Sequence, residues 1–151
     1  TTPPMTVLGA EDHYAAARRL AAAAVTQVRG DCAGVDGPVT VTASGGRERT
    51  RALLIEELRA AGAEVVGQGG TVVHLVGYGD GPSDLNVNAA VTVAMDTPYL
   101  LAEARSATLL ATYSSSPAAM SALADVLRGA VPAPGRLPVP VSGLPATSCT
   151  G

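Results

Sequence analysis

The chain is 151 residues long, 47% apolar and 15% charged, with a formal net charge of −3. That length holds one domain with a two-sided core and no more, and so apolar a composition excludes an intrinsically disordered chain. All ten basic residues are arginines scattered without a stripe, so a phosphate backbone has nothing to lie along and no nucleic-acid partner is expected.

No run approaches the roughly 20 consecutive apolar residues of a membrane span. The start lacks a basic segment followed by an apolar one, so any secretion signal is expected upstream of Thr1. There is no Phe or Trp and only four Tyr. Packing volume must come from Ala, Val and Leu, which suits close helix-on-sheet contact.

Residues 1–9, with Pro3-Pro4 in a Thr-rich start, read as a linker remnant, leaving 10–151 as the domain. An Ala-rich helix is predicted over 10–28, with Glu11 and Asp12 in its favoured acidic first turn and Gly30 as its stop. Val39-Thr40-Val41-Thr42-Ala43 is a β-branched strand, turned by Ser44-Gly45-Gly46 into a helix over 47–61. Leu54, Leu58 and Ala61 stack along that helix at helical spacing, and Gly62 suits its C′ position. A short strand over 63–66 and a firm one over 71–76 come next, then an irregular segment over 77–88. A strand over 89–95 leads to Thr97-Pro98, which reads as N-cap and first residue of a short helix. The last strand, 107–112, runs into Ser116-Pro117 with the same capping logic, and Met120, Leu123, Ala124 and Leu127 form a clean helical stripe closed by Gly129. Five prolines from Pro132 to Pro145 make the remainder extended and loop-like.

Strands alternating with helices imply an α/β domain, a three-layer, flavodoxin-like sandwich whose mostly parallel sheet carries helices on both faces. The strand ends at Ser44, Gly77, Asp96 and Tyr113 should then share the sheet's carboxyl edge, where open α/β sheets bind ligands.

No nucleophile stands out on that edge. A Gly-x-Ser-x-Gly elbow is missing, and Ser114, Ser115 and Ser116 lie where helix capping already explains one of them. Gly77-Tyr78-Gly79-Asp80-Gly81 follows a strand but has Pro82 where a dinucleotide fingerprint needs its third glycine, so a surface loop is the plainer reading. Ser44-Gly45-Gly46 fits an anion nest better, yet such turns are ordinary strand-to-helix connections. His13 and His74 are far apart, without Cys pairs or a second His at ligand spacing, so no metal or other cofactor is expected. Asp80, Asp84 and Asp96 are the rim carboxylates, and no pair of them separates into an acid and a nucleophile.

Cys32 follows the first helix and Cys149 lies in the tail. A secreted chain would pair them, and a cytosolic one would leave two inert thiols. The disulfide is the expectation, because the tail has little else to hold it; closing so long a loop is worth on the order of 4–5 kcal/mol at most.

Four blocks, in this order and spacing, resemble the C-terminal domain of family 3 glycoside hydrolases. They are Val39–Gly46 entering a helix, Val76-Gly77-Tyr78-Gly79-Asp80 with Asp84-Leu85, Asp96-Thr97-Pro98-Tyr99-Leu100, and Ala111-Thr112-Tyr113 through Leu127 to Gly135-Arg136-Leu137-Pro138-Val139. The tail Gly143-Leu144-Pro145-Ala146-Thr147-Ser148-Cys149 is similar to those of secreted actinobacterial members. The resemblance implies an N-terminal TIM-type barrel that carries the nucleophilic aspartate and is absent from this chain. In the family's β-glucosidase branch the acid is a glutamate in the loop corresponding to 77–88, and that loop here has no Glu. In the β-N-acetylglucosaminidase branch the acid is a histidine of the barrel, so a second domain without an acid is what that branch implies.

On that resemblance the chain itself has no catalytic residue. Asp80, Asp84, Asp96, Tyr99, Tyr113 and Ser114 are candidates for facing the barrel or a glycan at the domain interface, and the parent is expected to be secreted or lipid-anchored. Two rivals remain on the sequence alone: a stand-alone carbohydrate- or protein-binding module, which the absence of Trp disfavours, and a flavin- or nucleotide-binding domain, which lacks a phosphate loop.

Overall fold

The computed structural model describes residues 5–149. Its elements follow the order α1 (Met5–Ala24), β1 (Thr26–Arg29), β2 (Val39–Ala43), α2 (Glu48–Ala60), β3 (Thr71–Val76), β4 (Val91–Ala94), β5 (Thr108–Ala111) and α3 (Pro117–Leu127). Two 3-10 helices, Pro82–Asp84 and Tyr99–Glu103, lie in the connections either side of β4.

The strands form one sheet in the order β1-β5-β4-β3-β2. From β2 to β5 they run parallel in continuous register, with Val41 beside Val73, Val73 beside Val91 and Val91 beside Thr108. β1 closes the far edge, antiparallel to β5.

Alternation along the strands sorts two apolar faces. Val39, Val41, Val73, Leu75, Val93 and Leu110 pack with Leu54 and Leu58 of α2 and Met120 and Leu123 of α3. On the opposite face Val28, Val76, Ala94, Leu109 and Ala111 are covered by Leu101 and Ala104 and by Leu137 and Val141 of the tail. The fold is therefore a three-layer α/β sandwich whose layers differ: α-helices on one side, 3-10 turns and an extended tail on the other. α3 is the axis of the helical layer, buried along nearly its whole length, with α1 and α2 packed against it. Its alanines let both neighbours approach closely, which is how a core without large rings is filled.

The winding of the chain sets where a site can form. After α2 the chain runs along the outer side of β2, where the Val39 N–H donates to the Glu64 carbonyl and the Val66 N–H donates to the Val39 carbonyl, each at 2.9 Å. It then turns back to β3 on the other side of β2 and steps across the sheet through β4 to β5, with its connections on the opposite face. The direction of winding reverses between β2 and β3, so their carboxyl ends flank a topological switch point.

Several boundaries differ from expectation. The first helix begins at Met5, and residues 26–29 are a strand, not its last turn. Val25 to Val28 fit a helical stripe, but pairing of Thr26 with Ala111 and Gln27 with Leu110 places them on the sheet. Of the expected linker, residues 1–4 lie outside the described residues and 5–9 are helical. The strand expected over 63–66 is a single bridge at Val65. Thr97-Pro98 does not cap an α-helix: Pro98 precedes the 3-10 helix, with no side-chain cap. Ser116 does cap α3, its hydroxyl oxygen accepting the Ala119 N–H at 3.1 Å. α2 and α3 end alike, with the N–H groups of Gly62 and Ala63, and of Gly129 and Ala130, returning to the last turn.

The tail covers the exposed edge of β1. Gly135 N–H donates to the Val25 carbonyl at 2.8 Å, and Ser148 N–H donates to the Gln27 carbonyl at 2.7 Å. Gly135 sits so close that a Cβ there would stand 2.8 Å from the Val25 carbonyl oxygen. Cys32 and Cys149 are joined in a disulfide, their Cα atoms 5.8 Å apart and 117 residues separated in sequence. The two ends of the strap are thus fixed by close backbone approach and by a covalent bond.

Replacing both cysteines with serine should lower unfolding free energy by about 2–4 kcal/mol, read by urea titration. In the same variant, hydrogen exchange at Ser148 should accelerate far more than at Val93 in the centre of the sheet.

Candidate functional site

The switch point holds a tightly bonded carboxylate. Asp80 Oδ2 accepts the Ser44 hydroxyl at 2.6 Å, the Gly77 N–H at 2.7 Å and Arg47 Nε at 3.1 Å. Arg47 Nε also donates to Ser44 Oγ at 2.9 Å, and its Nη2 donates to the Tyr78 carbonyl at 2.9 Å. Ser44 ends β2, Arg47 opens α2 and Gly77 ends β3, so one carboxylate oxygen gathers three segments. The side chains of Asp80 and Arg47 are only 12% and 20% exposed, so these contacts are poorly screened by water.

Burial pushes the Asp80 carboxyl upward, but the Ser44 hydroxyl, the Gly77 N–H and the Arg47 guanidinium together outweigh it and hold the group below the ordinary carboxylate value. Asp80 is thus an ionised anchor at neutral pH.

Gly77 is required by what crowds it. A Cβ there would lie 2.6 Å from Arg47 Cζ on one side and 2.7 Å from Asp96 Oδ2 on the other. Asp96, at the end of β4, accepts the Tyr78 N–H at 2.6 Å. The first residues after β3 are therefore clamped between a guanidinium and a second carboxylate.

The remaining residues singled out in the sequence divide between the rim and its surroundings. Asp84 closes the next turn by accepting the Gly81 N–H at 2.8 Å, while its carbonyl receives His74 Nε2 at 2.7 Å. His74 is buried on the face opposite the helices, its Nδ1 bonded to the Thr42 hydroxyl at 2.7 Å. Ser114 Oγ accepts the Ser116 N–H at 3.1 Å, and its carbonyl receives the Thr112 hydroxyl at 2.8 Å. Tyr99 is 57% exposed on the rim. Tyr113 packs against the apolar cluster under the tail, with φ at 61°, a left-handed backbone that costs a non-glycine residue roughly 1–2 kcal/mol. Its hydroxyl is buried without a partner, and that burial, with Tyr99 nearby, raises its pKa. The structure brings both Asp80 and Asp96 against Gly77 and leaves Asp84 and Ser114 in their own turns.

Arg47 is the member that sequence reasoning passed over, and a signal for it existed. A cation at a helix N-terminus opposes the helix dipole, and Arg47 occupies the N-cap position of α2 without a side-chain capping bond. Here that cation is held by Asp80 and the Tyr78 carbonyl instead. Among the described residues, no three His, Cys, Asp or Glu side chains gather as a metal site would need.

No family model matches the chain, and no curated protein does. Solved structures do. A glycoside hydrolase family 3 β-N-acetylglucosaminidase from Paenibacillus sp. str. FPU-7 superposes with a TM-score of 0.64 at 21% identity over 82% of this chain and 32% of its own. A fungal multi-domain family 3 β-N-acetylglucosaminidase superposes with a TM-score of 0.73 at 16% identity, over 99% and 22%. The β-glucoside phosphorylase BglX gives 0.66 at 17%, over 91% and 34%. At these identities the likeness is one of fold, and the chain spans about a third or less of each enzyme.

Asp80→Asn should destabilise the domain by about 1–3 kcal/mol at pH 7, since the half-buried guanidinium and the buried Ser44 hydroxyl lose their charged acceptor. Because folding lowers the Asp80 pKa, its stabilisation is complete above about pH 4, the ordinary carboxylate value, and is lost as pH falls through the folded value. Urea titrations across that acid range should show the wild-type stability falling toward that of the variant. Gly77→Ala should displace Arg47 and perturb the Tyr78 amide, seen as a large shift of its NMR signal.

Proposed function

We propose that the chain is the accessory, non-catalytic C-terminal domain of a secreted or cell-surface family 3 β-N-acetylglucosaminidase, whose substrates are glycans bearing N-acetylglucosamine. The catalytic barrel lies in another part of that enzyme, and the carboxyl edge of the sheet faces it. The fold shared with two such enzymes, each about three or more times the length of the matched region, supports the reading. The disulfide is in keeping with an oxidising, extracellular setting.

The observation that carries the non-catalytic part is the state of Asp80. A general acid must hold a transferable proton at working pH and reach the glycosidic oxygen. Asp80 is held ionised, with Oδ2 taken by three internal donors. Asp96 and Asp84 each accept a backbone N–H from the same loop. These carboxylates stiffen the 77–84 segment, where acid catalysis would need one of them free. This departs from the β-glucosidase pattern, in which that loop supplies the acid, and fits the branch whose acid belongs to the barrel.

Two assays test the reading. The purified chain should show no turnover of a fluorogenic N-acetylglucosaminide or of the matching glucoside. Exchanged for the matching region of the Paenibacillus enzyme, it should leave chitooligosaccharide hydrolysis within about tenfold of the parent. Turnover by the chain alone, lost on Asp80→Asn or Asp96→Asn, would overturn the proposal. So would a well-folded chimera whose barrel does not associate with this domain.

A further inference from the structure

A groove of about 450 Å³ lies on the helical layer, between the outer side of α2 and the start of α3. Ala52, Leu53 and Pro117 are its apolar part, and Arg49 and Glu56 are its two charged members. Both charges are exposed. Among the described residues the one ion pair is that of Arg47 with Asp80, so neither Arg49 nor Glu56 is answered by an opposite charge there.

Helix geometry relates the two. Seven residues carry an α-helix through almost two full turns and advance it by about 10 Å. Arg49 and Glu56 therefore stand on one face of α2, with exposed Ala52 and half-buried Leu53 midway between them. A stripe that runs from cation through small apolar residues to anion is its own complement when reversed. Where two α2 helices lie antiparallel about a two-fold axis at Ala52 and Leu53, Arg49 of each chain meets Glu56 of the other. Ala52 permits close approach at the axis, and the ridge of one α2 enters the groove beside the other.

Other occupants leave a charge unanswered. A polyanion would meet Glu56, a polycation would meet Arg49, and a neutral ligand would satisfy neither. A single amino acid is too short to span about 10 Å between its charges. The chain itself carries the matching charges at the matching spacing. Charge pairs at both ends set the register and orientation of such a contact more than its strength.

We propose that this face of α2 is a homodimer interface, in which two copies of the chain pack α2 antiparallel and hold register through reciprocal Arg49–Glu56 pairs. The interface does not rest on the function proposed above.

Sedimentation equilibrium of the full chain tests this. Wild type should form a dimer and nothing larger, since a two-fold contact closes on itself. The expected dissociation constant is on the order of 100 μM in dilute salt, weakened severalfold at about 0.5 M NaCl. Arg49→Glu and Glu56→Arg each set like charges against each other at both contacts and should weaken the dimer about tenfold or more. Mixed in equal amounts, the two variants should form a heterodimer, because every contact between them is then of opposite sign. The double variant Arg49→Glu/Glu56→Arg should recover the homodimer. Recovery separates lost pairing from lost folding, and because both residues are exposed each variant should unfold at the wild-type temperature. A wild-type chain still monomeric at about 1 mM, association beyond a dimer, a dimer indifferent to either single reversal, or a mixture and a double variant that stay monomeric would overturn the interface.

Discussion

The acceptance of three hydrogen bonds by one oxygen of Asp80 is the interaction on which the carboxyl edge depends. Ser44, Arg47 and Gly77 come from the ends of two strands and the start of a helix, at the point where the winding of the chain reverses. Such a point is geometrically open, because neighbouring connections depart to opposite faces. Here the opening is filled by the domain's own ion pair. A largely buried carboxylate is unfavourable unless its lone pairs are satisfied, and Asp80 meets that condition through a guanidinium, a hydroxyl and a backbone amide. Everything downstream inherits the result: the Tyr78 amide is delivered to Asp96, Gly81 to Asp84, and the Asp84 carbonyl to His74.

At the opposite edge of the sheet a different chemistry does the corresponding work. β1 is antiparallel, short and unpaired by strand on its outer side, which would leave a row of free backbone groups. The tail supplies donors to it at Val25 and Gln27, and the disulfide keeps the tail there. Prolines deny the tail regular structure, so covalent closure replaces the cooperative ladder that a true strand would form. The helical layer needs neither device. Its alanines allow α3 to sit deep between α1 and α2, so area is gained by closeness where large side chains are lacking.

The architecture was legible because β-branched runs, glycine stops and the Ser116-Pro117 cap all act locally. Gly62 and Gly129 end their helices as their positions imply, and the parallel core follows from apolar strands separated by helices. β1 was hidden for a physical reason: Thr26 to Arg29 are stabilised by Leu109 to Ala111, 80 or more residues away, and continue an alanine-rich pattern that favours helix. The rim was half legible. Strand ends located Ser44, Gly77 and Asp96, with Asp80 in the loop just beyond, but their mutual bonding depends on which side of β2 the chain takes after α2. No periodicity records that choice. Arg47 carried a local clue, as a cation at the N-cap of its own helix. Tyr113 carried none: its left-handed backbone belongs to the turn after β5, which sets its ring against the apolar cluster under the tail.

The two halves of the rim are then complementary in kind. On the side of β2 and β3 Ser44, Arg47 and one oxygen of Asp80 are bonded to one another and to the backbone, as suits a scaffold. Beyond β3 the surface is dominated by groups that the fold leaves outward, Tyr78 at 81% and Tyr99 at 57% exposure. A weak contact gains most when the groups that make it are held in place beforehand, since less ordering is required on binding. The ion pair at the switch point therefore has a consequence beyond stability. By fixing the glycine turn against the sheet, it gives the exposed side of the rim a rigid wall.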